Sequence, residues 1–195
     1  MKNEVKQMKV EDYIEIIKGH DTGGCFCIKP VKYAPNLKPA KDYCDDWKEY
    51  KDYEISIDET DVGSYLLYFL LKHFDANSKA NKTRTPEWDF GDGFEYYSEH
   101  NFYTYNEVNQ IISDIKILLE IIDGSSSKED CIAKIQKRFP LLEKPHYYPI
   151  DIAKNVTDGF HSVDAIADFY RRFIEELTNM MASCKECDII TFIGP

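Results

Sequence analysis

The sequence predicts an α+β fold, mainly α: one domain over residues 1–195, with about five helices packed on a small β-sheet. Three observations predict it. Apolar residues recur at three- and four-residue steps through several long windows, which is the period of a helix with one buried face. A few short windows alternate or are β-branched, as half-buried strands are. The chain, 43% hydrophobic over 195 residues, shows no internal repeat, low-complexity tract or interdomain linker, so it suits a single core.

In chain order, Val10, Tyr13, Ile14 and Ile17 share one side of a predicted helix over 10–18 that Gly19 stops. After a glycine-rich turn, Cys25–Ile28 reads as a short buried strand. Residues 29–42 hold Pro30, Pro35, Pro39 and four lysines, the composition of an extended surface loop. Tyr53, Ile55 and Ile57 alternate and predict a strand over 53–58, after which Asp61 is placed to cap a helix. That helix, 62–75, is apolar nearly all round and is expected to be the most buried one. Residues 76–86 read as a polar, basic loop.

The best helix signal covers 104–122. Thr104 and Glu107 form a T-x-x-E capping box, with Tyr103 and Val108 spaced as a hydrophobic staple. Tyr105, Val108, Ile111, Ile112, Ile115, Leu118, Leu119 and Ile122 make the apolar stripe, and Gly124 is expected to end it in a left-handed conformation. A single helix of this length is marginal in water, so the stripe must dock on others. Ser127 caps a helix over 128–138, and 141–150 reads as a proline-bearing loop. The pattern over 151–159 favours no single element. Ser162 caps a long helix, 162–183, whose stripe runs from Val163 through Phe169 and Phe173 to Met181. Residues 188–193 read as a terminal strand, with either 25–28 or 53–58 as its partner.

Charge is the most informative feature for function. The net charge is −11. Residues 42–61 carry nine acids against two lysines, and residues 87–107 carry six acids and no lysine or arginine. These two segments therefore sum to −13, and the rest of the chain nets +2. Such a surface repels nucleic-acid phosphate and anionic lipid and suits a basic protein partner. Both segments interleave acids with aromatic rings, and tyrosine and tryptophan are typical contact anchors beside carboxylates that steer a cationic partner. The candidate binding residues are Asp45, Asp46, Trp47, Glu49, Tyr50, Asp52, Trp88, Asp89, Asp92, Glu95, Tyr96, Tyr97 and Glu99. The plainer alternative is that the rings belong to the core and the acids serve solubility.

Catalytic and metal motifs are weak. Cys25-x-Cys27 and Cys184-x-x-Cys187, with His20 near, have ligand types that zinc accepts, but Cys27 sits in an apolar run and neither pair has a knuckle context. Free thiols are the simpler reading, and no metal or cofactor is expected. As a redox motif, Cys184–Cys187 follows a helix, at the wrong end of its dipole. An EF-hand starting at Asp58 would need oxygen ligands where Val62 and Phe69 stand. The triplet Asp89-Phe90-Gly91 has no companion kinase signatures. No nucleophile elbow, H-E-x-x-H or P-loop is present, and His20, His73, His100, His146 and His161 are scattered singly. No catalytic residues are assigned. The lysine-rich first ten residues have no apolar run behind them, and the longest apolar run, 65–71, is too short to cross a bilayer. A cytoplasmic location is expected, with reduced cysteines; leaderless export is the alternative.

Several strings together resemble one group of proteins: Gly24-Cys25-Phe26-Cys27-Ile28, Asp46-Trp47, Gly63-Ser64-Tyr65-Leu66-Leu67-Tyr68-Phe69, His100-Asn101-Phe102-Tyr103-Thr104-Tyr105, Asp168-Phe169-Tyr170-Arg171-Arg172-Phe173 and Gly194-Pro195. The group is that of small, acidic, uncharacterised bacterial proteins, which resemble immunity proteins of polymorphic toxin systems. The resemblance spans most of the chain. It implies a non-catalytic inhibitor whose partner is a basic toxin, and it brings no catalytic residues. A small enzyme of unnamed reaction and a housekeeping interaction module are the alternative readings.

Overall fold

The computed structural model describes residues 14–15, 25–31, 55–58, 62–78, 81–83, 94, 101–144, 148–158, 163–183 and 189–193. In chain order its elements are β1 (Ile14–Glu15), β2 (Cys25–Val31), β3 (Ile55–Asp58), α1 (Val62–His73), a 3-10 turn (Asn81–Thr83), β4 (Asn101–Thr104), α2 (Tyr105–Asp123), α3 (Lys128–Arg138), α4 (Ile152–Asp158), α5 (Val163–Ser183) and β5 (Ile189–Ile193). The fold is α+β and mainly α, as the periodicities predict. Among the described residues the two longest helices have 19 and 21 residues, and no strand exceeds seven.

The strands form one antiparallel sheet in the order β1-β3-β2-β5-β4. Its register sets a rung of four buried residues: Ile28 pairs with Ile55 on one side and Phe192 on the other, and Phe192 pairs with Asn101. Side chains alternate between the faces of a strand. Ile28, Ile55, Ile190, Phe192 and Tyr103 thus share one face, and all belong to the core they form with the helices. Phe102, Ile189 and Thr191 fall on the opposite face and are buried too.

Helix α2 is the hub of the helical layer. It packs on α1, α3 and α5 and also meets β4 and β5. Its capping box forms as the T-x-x-E spacing requires: the Glu107 N–H donates to Thr104 Oγ1 at 3.3 Å, and the Thr104 N–H donates to Glu107 Oε2 at 2.6 Å. Val108, Ile111, Ile112, Ile115, Leu118, Leu119 and Ile122 are buried, and Tyr105 is half-buried. In α5, Ile166, Phe169, Tyr170, Phe173, Leu177 and Met180 are buried, while Val163, Ile174 and Met181 are partly so. Along α1, Leu66 and Tyr68 to Leu71 are buried, in keeping with a helix apolar all round. Edge-to-face rings tie the layer together: Phe69 meets Phe139 at 5.9 Å and Tyr170 at 6.1 Å.

Several expectations are corrected. The helix predicted over 10–18 does not hold at Ile14–Glu15, which is a strand paired with β3 at Ile57 and Ser56. Sheet pairing overrides a stripe of only four apolar residues. Strand β2 continues through Lys29, Pro30 and Val31, which the proline and lysine content assigned to a loop. Pro30 is buried there opposite Ile190, beyond Ile28, where the pairing of β2 with β3 ends, so that β3 makes no demand for its missing N–H. Gly124 has φ −89°, not a left-handed value. The α2 terminus is instead closed by the Gly124 N–H on the Glu120 carbonyl and by Ser125 Oγ on the Ile121 carbonyl. The uncommitted stretch after 150 is α4, capped by Asp151, whose Oδ1 accepts from the Ala153 and Lys154 N–H groups. The loop over 141–150 contains an isolated bridge between Leu142 and Ile150. Strand β4 has no counterpart among the predicted elements. Of the two partners left open for 189–193, β2 is the one taken.

Candidate functional site

All thirteen candidate binding residues, from Asp45 to Glu99, lie outside the described residues, as do the Trp88–Glu99 stretch apart from Phe94 and the Cys184–Cys187 pair. What the structure places is their attachment to the fold. Asp52 lies three residues before Ile55, the first residue of β3, and Glu99 lies two before Asn101, the first of β4. Ile55 and Asn101 stand on the same rung, three strand spacings or roughly 14 Å apart. From that rung β3 runs one way and β4 the other. Phe94 provides a third fixed point: it is buried, with its ring 5.7 Å from that of Phe74 in an edge-on contact.

Strand β4, through which the second acidic segment passes, is held from outside the sheet by Asn81. The Asn81 Nδ2 donates to the Phe102 carbonyl at 3.0 Å, and the Phe102 N–H donates to Asn81 Oδ1 at 3.1 Å. One carboxamide thereby occupies both backbone groups that Phe102 turns away from β5. Asn81 Nδ2 also donates to the Asp75 carbonyl at 2.8 Å, which ties the strand to the chain leaving α1. The basic composition of residues 76–86 gave no sign of this; a single asparagine carries it.

The strongest cluster of charged groups among the described residues lies between α1 and α2. Lys72 Nζ donates to Asp114 Oδ2 at 2.6 Å, and His73 Nε2 lies 2.7 Å from the same oxygen. Asp114 is a buried carboxylate on the inward stripe of α2. Burial acts to raise its pKa, but the hydrogen bonds and charges of Lys72 and His73 outweigh it and hold the carboxyl below its ordinary value. Nearby, Tyr68 donates its hydroxyl to the Pro140 carbonyl at 3.1 Å. Burial, with Asp114 adding to it and Arg138 opposing, pushes the Tyr68 phenol up. Lys72 Nζ and Arg138 Cζ lie 5.7 and 5.4 Å from the centre of the Phe139 ring.

Chemically, this arrangement fastens two helices together. A carboxylate can orient an imidazole for proton transfer, but that also needs a nucleophile or bound substrate beside the ring. Among the described residues, no hydroxyl or thiol is hydrogen-bonded to His73. The signal in the sequence was Asp114 itself, an acid on an otherwise apolar helical stripe, which demands a cation from a neighbouring element.

No group of three or more metal-ligating side chains occurs among the described residues. Cys25 and Cys27 lie on β2, where Cys27 pairs with Ile193. The chain after Cys187 enters β5 at Ile189, four residues away along that strand, opposite Val31. Cys131, on α3, is buried, and burial pushes its thiol up, away from a reactive thiolate. No described helix is long and apolar enough to cross a membrane. Comparison with protein-family models, with curated proteins and with solved structures finds no match for this chain.

Proposed function

We propose that this protein is a non-catalytic binding protein of the immunity type, which holds a basic partner protein, a toxin, against an acidic and aromatic surface. The observation that carries this reading is the segregation of charge. Two segments hold a net −13 in a chain of net −11, and both reach the sheet at one rung, roughly 14 Å apart. These two points of attachment lie within the span of one ordinary interface patch of about 800 Å² per partner, and the chain arrives at them from opposite ends of the strands. Carboxylates at such density draw a cationic partner from a distance, and the tryptophans and tyrosines among them supply the apolar contact that holds it. A basic nuclease is a suitable target, because its phosphate-binding cleft presents the complementary charge. The chain is expected to act in the cytoplasm.

The test is capture from a lysate of the bacterium that makes the protein. Tagged protein is loaded at low salt and eluted with a rising salt gradient, and the eluate is read by mass spectrometry. One dominant basic protein released by salt is the expected result, since screening weakens contacts between exposed charges. The same capture with Asp45, Asp46, Asp89 and Asp92 all changed to lysine should fail while the far-ultraviolet spectrum and melting temperature stay unchanged. Each reversal adds two charges, so this variant moves from −11 to −3. Equal capture by the variant, or no salt-released basic protein from cells that express the neighbouring genes, overturns the reading.

A further inference from the structure

Among the described residues β4 is an edge of the sheet, with β5 on one side only. Antiparallel pairing alternates, so Asn101 and Tyr103 turn their backbone groups to β5 while Phe102 and Thr104 turn theirs outward. Each of those outward groups is taken from within the chain. Asn81 Oδ1 accepts from the Phe102 N–H at 3.1 Å, and Asn81 Nδ2 donates to the Phe102 carbonyl at 3.0 Å. Glu107 Oε2 accepts from the Thr104 N–H at 2.6 Å, and the carbonyl of Thr104, an N-cap, accepts the first hydrogen bond of α2. The strand itself, Asn-Phe-Tyr-Thr, holds no charged residue and no proline, two of the usual means by which a sheet edge is kept from pairing.

Asn81 is aimed by its own turn. Its N–H donates to Ser78 Oγ at 3.2 Å, and its Nδ2 also donates to the Asp75 carbonyl at 2.8 Å. The Ser78 N–H donates to that same carbonyl at 3.1 Å. Asn81 is 4% exposed and Phe102 3%, so the contact is made out of water. A carboxamide presents a donor and an acceptor in one plane, the same two groups that a residue of a neighbouring strand offers.

We propose that Asn81 is a strand surrogate: its carboxamide stands where the peptide groups of a further strand would pair, and it closes the β4 edge against a second copy of this chain. The excluded occupant is β4 of that copy, antiparallel about a two-fold axis at Phe102. In that arrangement the two Phe102 residues exchange N–H···O=C bonds, the same two bonds that Asn81 makes now, so the edge is complementary to itself. The net charge of −11 slows the approach of two copies, but salt screens it, whereas the carboxamide acts at the contact. This assignment is independent of which partner the acidic segments bind.

The full-length chain and its variants are compared in about 0.3 M salt, where the Debye length is only about 5–6 Å. Association is read by sedimentation over a hundredfold range of concentration, and amide exchange by NMR. Asn81→Ala deletes all three carboxamide bonds, which frees Phe102 and unties the 3-10 turn from the chain leaving α1. At the lowest concentration its Phe102 amide should exchange at least tenfold faster than in the native chain. As concentration rises, its mass should climb from one chain towards two and the Phe102 amide should become protected again, while the native chain stays at one. Ile135→Ala, a buried truncation on α3, is the control for general destabilisation and should stay at one chain. Where Asn81→Ala melts below the working temperature, Asn81→Asp decides by the same readings: it keeps the acceptor for the Phe102 N–H, loses the donor, and should associate more weakly. A folded variant that remains one chain throughout overturns the proposal. So does association that leaves the Phe102 amide exposed, or equal association of Ile135→Ala. Renewed protection of Phe102 only on adding a peptide of unrelated sequence, with the mass still that of one chain, overturns the second copy as the excluded occupant.

Discussion

Asp114 concentrates two contacts on one oxygen, and the consequences of that can be measured. Replacing it with asparagine removes the charge that both Lys72 and His73 face and should cost about 1–3 kcal/mol at neutral pH. The lower part of the range for breaking a buried pair applies, because Lys72 is a third exposed and partly solvated. The dependence on pH has a definite sign. The Asp114 pKa is lower in the folded chain than in the unfolded one, so its contribution is fully present above the ordinary carboxylate pKa. It is lost as pH falls through the lower, folded value. Urea denaturation from pH 7 to pH 3 should show the native chain losing stability at the acid end, and Asp114→Asn should flatten that part of the curve. By contrast, Arg171 with Asp123 and Asp168 is an exposed set worth about 0–1 kcal/mol, and Arg171→Met should leave the melting temperature nearly unchanged. At this scale the sequence was partly legible. The apolar stripe around 114 was legible, but Asp114 was not singled out on it and its partners were hidden, because a helical period says which face is buried and not which helix lies against it. His73 read as one of five scattered histidines for that reason.

At the scale of elements, the capping box and the edge clamp are the parts whose worth can be read separately. Thr104→Ala removes the side chain that accepts from the Glu107 N–H and should cost about 1 kcal/mol, read as a lower urea midpoint with an unchanged slope. Asn81→Ala leaves the Phe102 N–H and carbonyl without their amide partner at a buried edge. That should cost about 1–3 kcal/mol and speed exchange at the Phe102 amide before the rest of β4 responds. The helices with long stripes, α2 and α5, were legible because seven or more apolar residues at helical period have no other regular explanation. Short elements were not. Four apolar residues over 10–18 fit a helix, yet Ile14 and Glu15 lie on an edge of the sheet, where long-range pairing decides. Pro30 pointed to a loop because a proline is excluded from a strand only where its N–H is needed, and register alone shows where that is. Strand β4 hid because its four residues run straight into a helix whose cap dominates the local pattern.

For the whole molecule, the fold class, mainly α with a small sheet, followed from composition and periodicity, whereas the order and antiparallel sense of the strands did not, because they depend on long-range pairing. The sheet order has its own result. Strand β5 sits between β2 and β4, although some 160 residues separate it from β2 in the chain and about 85 separate it from β4. During synthesis, β2 and β4 are both made before the strand that joins them. The nascent chain must therefore wait with β2 and β4 lacking a shared neighbour, and the rung that brings Ile55 and Asn101 into line forms only when Phe192 arrives. A protein of this topology completes its described sheet late, when the strand between β2 and β4 arrives.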